Sequence, residues 1–143
     1  MIRQETAGTL THSTVVPLST HFKFVCISKD EEMLIFARKA RAKIFMKNGA
    51  DYKLSQTLPD GIISNGLALS PDEKELALCS STLVIYRHNG VNFERSQSIP
   101  LSFSCSYVYY VNNFVEVHGD SSLLEFYKFE GTQYVHAFNI QTD

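Results

Sequence analysis

Five histidines, His12, His21, His88, His118 and His136, are the first side chains of this sequence that could ligate a metal or pass a proton. None stands on the H-x-x-x-H spacing that puts two imidazoles on one helix face, and no Cys-x-x-Cys occurs. The nucleophile elbow G-x-S-x-G is missing too, and the serines of Cys79-Ser80-Ser81 and Ser102–Ser106 read as strand ends. Asp30-Glu31-Glu32 and Asp72-Glu73 bring carboxylates together, but in polar stretches that read as solvated turns. Gly61 and Gly66 bracket Ile62-Ile63-Ser64-Asn65 with no Lys-Ser/Thr behind them, so no phosphate cradle is expected. The residues predict no catalytic group, no cofactor and no resident metal.

Two clusters suit recognition instead. Arg38, Lys39, Arg41 and Lys43 gather positive charge around one turn, with Lys47 beyond it, and would suit an acidic partner or a phosphate. A formal net charge of −2 supplies no global attraction to nucleic acid, which is not an expected partner. Tyr107, Tyr109 and Tyr110 offer either an aromatic edge for a ligand or core packing, and core packing is the expectation. Cys26, Cys79 and Cys105 form an odd set in apolar stretches. Reduced core thiols are expected from this, and with them an intracellular protein, cytoplasmic or nuclear. No apolar run reaches the ~20 residues of a membrane helix, so no membrane partner is expected.

The elements that hold these residues repeat. Gly49, Gly90 and Gly131 are spaced by 41, as are Tyr52, Phe93 and Tyr134, then Phe45, Tyr86 and Tyr127, then Leu58, Ile99 and Ile140. Four tracks in phase define three units within a single β-repeat domain over 1–143. The second unit, over 66–100, reads as strands at Gly66–Ser70, Glu75–Ser80, Thr82–His88 and Val91–Pro100. Asn89-Gly90 predicts a type I′ hairpin there, and Asn48-Gly49 the same in the first unit. The units at 22–59 and 103–140 match strand for strand. Thr9–Pro17 resembles a fourth strand standing alone, because Val16-Pro17 falls where Leu58-Pro59 and Ile99-Pro100 fall. With 44% hydrophobic and 20% charged residues, the chain can bury a core.

Such units fit a β-propeller, with ~40–45 residues in a four-stranded blade, or alternatively a β-trefoil. Continuous apolar runs such as Phe24-Val25-Cys26-Ile27 and Leu83-Val84-Ile85-Tyr86 suit strands covered on both faces, which favours blades. Leu67-Ala68-Leu69-Ser70-Pro71-Asp72-Glu73-Lys74-Glu75-Leu76-Ala77 resembles the first hairpin of WD40-like and YVTN/lactonase-like propeller repeats, and Ile27–Leu34 repeats it imperfectly. Phe45, Tyr86 and Tyr127 stand where WD40 repeats usually carry Trp. No Gly-His pair or Trp-Asp dipeptide accompanies them, and only Asp120 falls near the family's turn Asp.

The resemblance to lactonase-type propellers implies a central divalent cation held by acidic or Asn residues. The inner strands at Phe24–Ile27, Leu67–Leu69 and Ser104–Tyr110 are too apolar to supply them plainly. The expected function is therefore a non-enzymatic protein–protein interaction or scaffold module. A fragment of a lactonase-like enzyme with a divalent metal and a glycan-binding trefoil are the alternatives. Three blades fall short of the ~4–8 a propeller ring contains. The expected partner is a protein, either a second copy completing the ring or a larger assembly, with Leu10, Val15 and Val16 as a ring-completing strand.

Overall fold

The computed structural model describes residues 2–6, 9–14, 24–38, 41–58, 66–119 and 122–141, and every element among them is a strand. Three four-stranded antiparallel sheets follow one another along the chain. Blade 1 consists of β3 (Phe24–Ile27), β4 (Met33–Arg38), β5 (Arg41–Asn48) and β6 (Asp51–Thr57). Blade 2 consists of β7 (Gly66–Leu69), β8 (Glu75–Cys79), β9 (Thr82–His88) and β10 (Phe93–Pro100). Blade 3 consists of β11 (Cys105–Val111), β12 (Phe114–Gly119), β13 (Leu123–Glu130) and β14 (Gln133–Gln141). Each sheet is a meander in chain order, and the first strands β3, β7 and β11 lie side by side. The trefoil alternative is set aside, because each unit's strands pair only with one another among the described residues.

The N-terminal strand is present but has company. β2 (Thr9–Thr14) pairs antiparallel with β1 (Ile2–Thr6), and β2 lies against β6 at the outer edge of blade 1. Leu10 is on β2, whereas Val15 and Val16 lie outside the described residues.

The hairpins differ from the type I′ expectation. In blade 1 the turn residues are Gly49 and Ala50, since Asn48 pairs with Asp51; in blade 3 they are Gly131 and Thr132. Only the glycines take positive φ there (+68° and +69°), while type I′ needs it at both positions. In blade 2 the loop is longer, because the Asn89 carboxamide accepts from the amides of Val91 and Asn92 and holds a four-residue turn.

Call the front of a blade the face turned towards the next blade in chain order, and the rear the opposite face. The front of blade 1 (Met33, Ile35, Ala37, Ala42, Ile44) packs on the rear of blade 2 (Leu76, Leu78, Val84, Tyr86, Phe93). The front of blade 2 (Ala77, Cys79, Leu83, Ile85) packs likewise on the rear of blade 3 (Cys105, Val108, Val115, Val117, Tyr127, Tyr134). Blade 2 is thus covered on both faces, which is why β8 and β9 are buried almost throughout and read as unbroken apolar runs. The 41-residue aromatics are all rear-face residues, and all six are buried. Blade 1's rear carries its own buried cluster of Leu34, Phe36, Phe45 and Tyr52.

Three devices fix one blade to the next or brace its first turn. Ser28 and Ser70 each close a tight turn: the hydroxyl donates to Asp30 (2.8 Å) or Asp72 (2.7 Å) and accepts the amide of Met33 or Glu75. Glu31 and Glu73 take positive φ at the matching position, and the Lys29 amide donates to the Glu73 carboxylate across the blade boundary (2.7 Å). Gln56 grips the backbone of Phe93 in the next blade, donating to its carbonyl (2.6 Å) and accepting from its amide (2.9 Å). Gln97 repeats that clamp on Tyr134, at 2.7 and 2.8 Å. Finally, a Cys79–Cys105 disulfide joins blades 2 and 3. That overturns the expectation of three reduced thiols. Strands β8 and β11 lie close enough to bring the two Cα atoms to 5.8 Å, within bridging range. Cys26 alone remains a thiol, and burial pushes its pKa up.

Candidate functional site

Among the described residues, no blade packs on the front of blade 3. Alternation along β11, β12 and β13 sends Val115, Val117 and Tyr127 to the rear and leaves Tyr107, Tyr109, Val111, Phe114, Phe126 and Phe138 on the front. Nine large apolar side chains are exposed among the described residues, and five of them are on this face: Tyr107, Tyr109, Val111, Phe138 and Ile140, between 41% and 57% accessible. Exposed apolar side chains gathered on one face of a folded protein make it a candidate interaction surface.

Its aromatic residues are organised into two groups. Phe126 stacks on Phe138 with centroids 4.6 Å apart, and Phe114 meets both edge-on at 6.2 and 5.8 Å. Tyr107 stacks on Tyr109 at 6.3 Å, and Tyr109 meets the His118 ring edge-on at 5.3 Å. Between the groups, Glu116 and His118 approach to 3.1 Å.

Register shows how unusual that polar pair is. Glu116 pairs across to Phe126 as Ile35 pairs to Ile44 and Ala77 to Ile85. His118 pairs to Leu124 as Ala37 pairs to Ala42 and Cys79 to Leu83. The same two positions are fully buried and uncharged in blades 1 and 2. The clamp is missing as well: one repeat beyond Gln56 and Gln97 stands Phe138.

A second cluster of ionisable groups sits between blades 2 and 3. The Glu75 carboxylate accepts from the Tyr134 hydroxyl (2.7 Å) and the Tyr110 hydroxyl (3.5 Å), and pairs with Arg87 at 3.1 Å. Arg87 also lies over the Phe129 ring, 4.6 Å from its centroid. Burial first, then the neighbouring Glu75 carboxylate (by its charge on Tyr110 and by its hydrogen bond on Tyr134), holds both phenols well above the usual tyrosine range. These groups satisfy one another, so the cluster ties two blades together.

No protein-family model matches the chain, and no curated protein matches it. Solved structures do. The periplasmic gluconolactonase PpgL of Pseudomonas aeruginosa is 15% identical with a TM-score of 0.72, covering 87% of this chain and 41% of that one. The β-propeller domain of Cps50 (Swd1) from Myceliophteria thermophila is 8% identical with a TM-score of 0.68, covering 85% and 40%. A Bacteroides fragilis protein, provisionally assigned as a 6-phosphogluconolactonase, gives 12% and 0.75, covering 85% and 39%. The chain folds as a partial β-propeller. It spans about two fifths of the length of these propellers.

Within this propeller segment the residues singled out from sequence scatter. Arg38 on β4 pairs with Arg41 on β5 in the backbone register, Lys43 is half-buried on β5, and Lys39 lies outside the described residues, as does Asp120. Of the three tyrosines expected in the core, Tyr110 packs there, while Tyr107 and Tyr109 point out of the front. Alternation separates them, since residues one apart on a strand take opposite faces. The clamp glutamines were legible in principle: Ser55-Gln56 and Ser96-Gln97 both precede an apolar-Pro pair in the same phase. Glu116 and His118 were legible only once the register was known.

Among the described residues no three His, Cys, Asp or Glu side chains stand together in a way that could hold a metal ion. No helix among them is long and apolar enough to cross a membrane.

Proposed function

We propose that this chain is a protein–protein interaction module, an arc of three propeller blades completed by self-association or by a partner protein. The uncovered front of blade 3 is the observation that carries this reading. Apolar side chains on one sheet face gain roughly 25 cal/mol per Å² when water is removed from them, and nothing in the described chain removes it. The basic turn of Arg38, Lys39, Arg41 and Lys43 is proposed as a further contact, suited to an acidic partner surface. Sedimentation equilibrium at micromolar concentration tests the self-association arm, and cross-linking in the source cell tests the partner arm. A monomer with a cooperative melt and no cross-linked partner sinks the proposal.

A second reading has support from the comparisons: a segment of a lactonase-like propeller enzyme that uses a divalent cation. PpgL and the Bacteroides protein are the observations in its favour. Its cation ligands would have to include Asn or backbone oxygens, or residues outside the described ones, since among the described residues no three His, Cys, Asp or Glu side chains stand together. Metal content of the purified protein, together with lactone hydrolysis, decides it. Stoichiometric metal and turnover would displace the scaffold reading.

An intracellular location was expected from reduced cysteines, and the Cys79–Cys105 disulfide removes that premise. Thiol titration of protein taken directly from its cell determines the compartment.

A further inference from the structure

We infer that two copies of this chain pair front to front through their third blades, across a two-fold axis running along the Phe114–Phe126 diagonal. The inference rests on the reading of the chain as an interaction module and names both the partner and the face. Head-to-tail joining, front of blade 3 to rear of blade 1, is the obvious alternative, and three features speak against it. The clamp that fastens each front to the next rear ends at Gln97, with Phe138 in its third place. The Glu116–His118 pair would be pressed against an apolar rear, where a charge costs several kcal/mol unless fully paired. Blade 1's rear is also partly covered already, with Leu34 and Phe45 almost inaccessible although Ile27 and Leu54 beside them are exposed.

Front-to-front pairing resolves all three. In the register of β12 and β13, Phe114 lies opposite Lys128 and Glu116 opposite Phe126. These four residues are the corners of one quadrilateral, and its two diagonals are Phe114–Phe126 and Glu116–Lys128. A two-fold axis midway between stacked sheets and parallel to the first diagonal maps each phenylalanine onto its own copy. The same operation sets Glu116 over Lys128 of the second copy and Lys128 over its Glu116. The face is therefore complementary to itself in charge as well as in apolar character, as an isologous contact requires. The exposed rings of Tyr107, Tyr109 and Phe138 extend the contact on either side.

Light scattering across a micromolar concentration series should show a dimer for the natural chain. Phe138→Lys, on an exposed side chain, should weaken it roughly thirtyfold or more with circular dichroism unchanged. Glu116→Lys and Lys128→Glu should each weaken the dimer, and the double variant should recover most of the loss, because the swapped charges meet again across the axis. A dimer unmoved by Phe138→Lys but broken by Leu54→Glu on the rear of blade 1 would overturn this pairing and leave the interaction-module reading intact. Failure of the double swap to recover would overturn the two-fold arrangement. A monomer throughout would overturn both the pairing and self-association.

Discussion

Gln56 and Gln97 stand one repeat apart, and each saturates both backbone groups of an aromatic residue in the next blade. Truncation to Ala leaves an amide and a carbonyl without partners at a half-buried edge, a loss of about 1–3 kcal/mol. Urea midpoints of Q56A and Q97A should fall accordingly, and the double variant should show nearly the sum, since the clamps serve separate interfaces. Strong non-additivity would mean that the interfaces do not act independently. Tyr86 carries the opposite expectation. Its hydroxyl is buried with no hydrogen-bond partner among the described residues, and blade 1 has Phe45 at the same position. Y86F should therefore keep stability or raise it by about 1 kcal/mol, and a comparable loss in the same melts would count against an unpaired hydroxyl. In the turns, Asp72 is held below the usual carboxylate range by the Ser70 hydroxyl first and the Lys74 amide next. Asp30 is lowered by the Glu32 amide first and the Ser28 hydroxyl next. A folded pKa below the unfolded one contributes stability above the unfolded value and loses it as pH falls through the folded value. Below about pH 4 the natural chain should lose stability more steeply than D30N/D72N, and parallel profiles would refute this.

At the scale of elements, the disulfide is the clearest test of how the blades are joined. Cys79 and Cys105 are 26 residues apart, a loop whose closure is worth about 3–4 kcal/mol in the chain-entropy account. Reduction, or the C79A/C105A pair, should lower the urea midpoint on that scale, and denatured protein should titrate one thiol before reduction and three after. Three thiols before reduction would refute the bridge. Strand positions were largely legible: Met33–Arg38, Thr82–His88, Phe114–Gly119 and Leu123–Glu130 fall where pattern and turn residues put them. Pairing between blades was not. The sequence placed Cys79 and Cys105 in apolar strands, but only the close approach of β8 to β11 makes them partners. Gly66 permits a similar approach beside them, because a Cβ there would stand 2.9 Å from the Cys79 sulfur and 3.3 Å from the Tyr107 Cα. The N-terminal strand shows the same limit, since Thr9–Pro17 resembled a fourth strand locally while the pairing of its Thr9–Thr14 with Ile2–Thr6 had no repeat to reveal it.

For the whole molecule, the 41-residue phase disclosed three blades, but the difference between the two end faces lay in strand register, which departs from that phase between β8 and β12. In that register Glu116 and His118 stand where the other blades carry apolar residues, Phe138 stands one repeat beyond Gln97, and all three are on the front of blade 3. If that face is covered by a second copy, folding and association are linked, and stability must depend on chain concentration. A tenfold increase then adds about 1.4 kcal/mol to the dimer's stability, which for a dimer of this size raises Tm by about 2 °C. Calorimetric scans of the natural chain over two decades of concentration should show this rise. The Phe138→Lys chain should melt at a lower temperature and respond less to concentration, since its blades 1 and 2 keep the same internal contacts while its front is more often wet. A natural chain whose Tm is flat over that range folds without a partner copy.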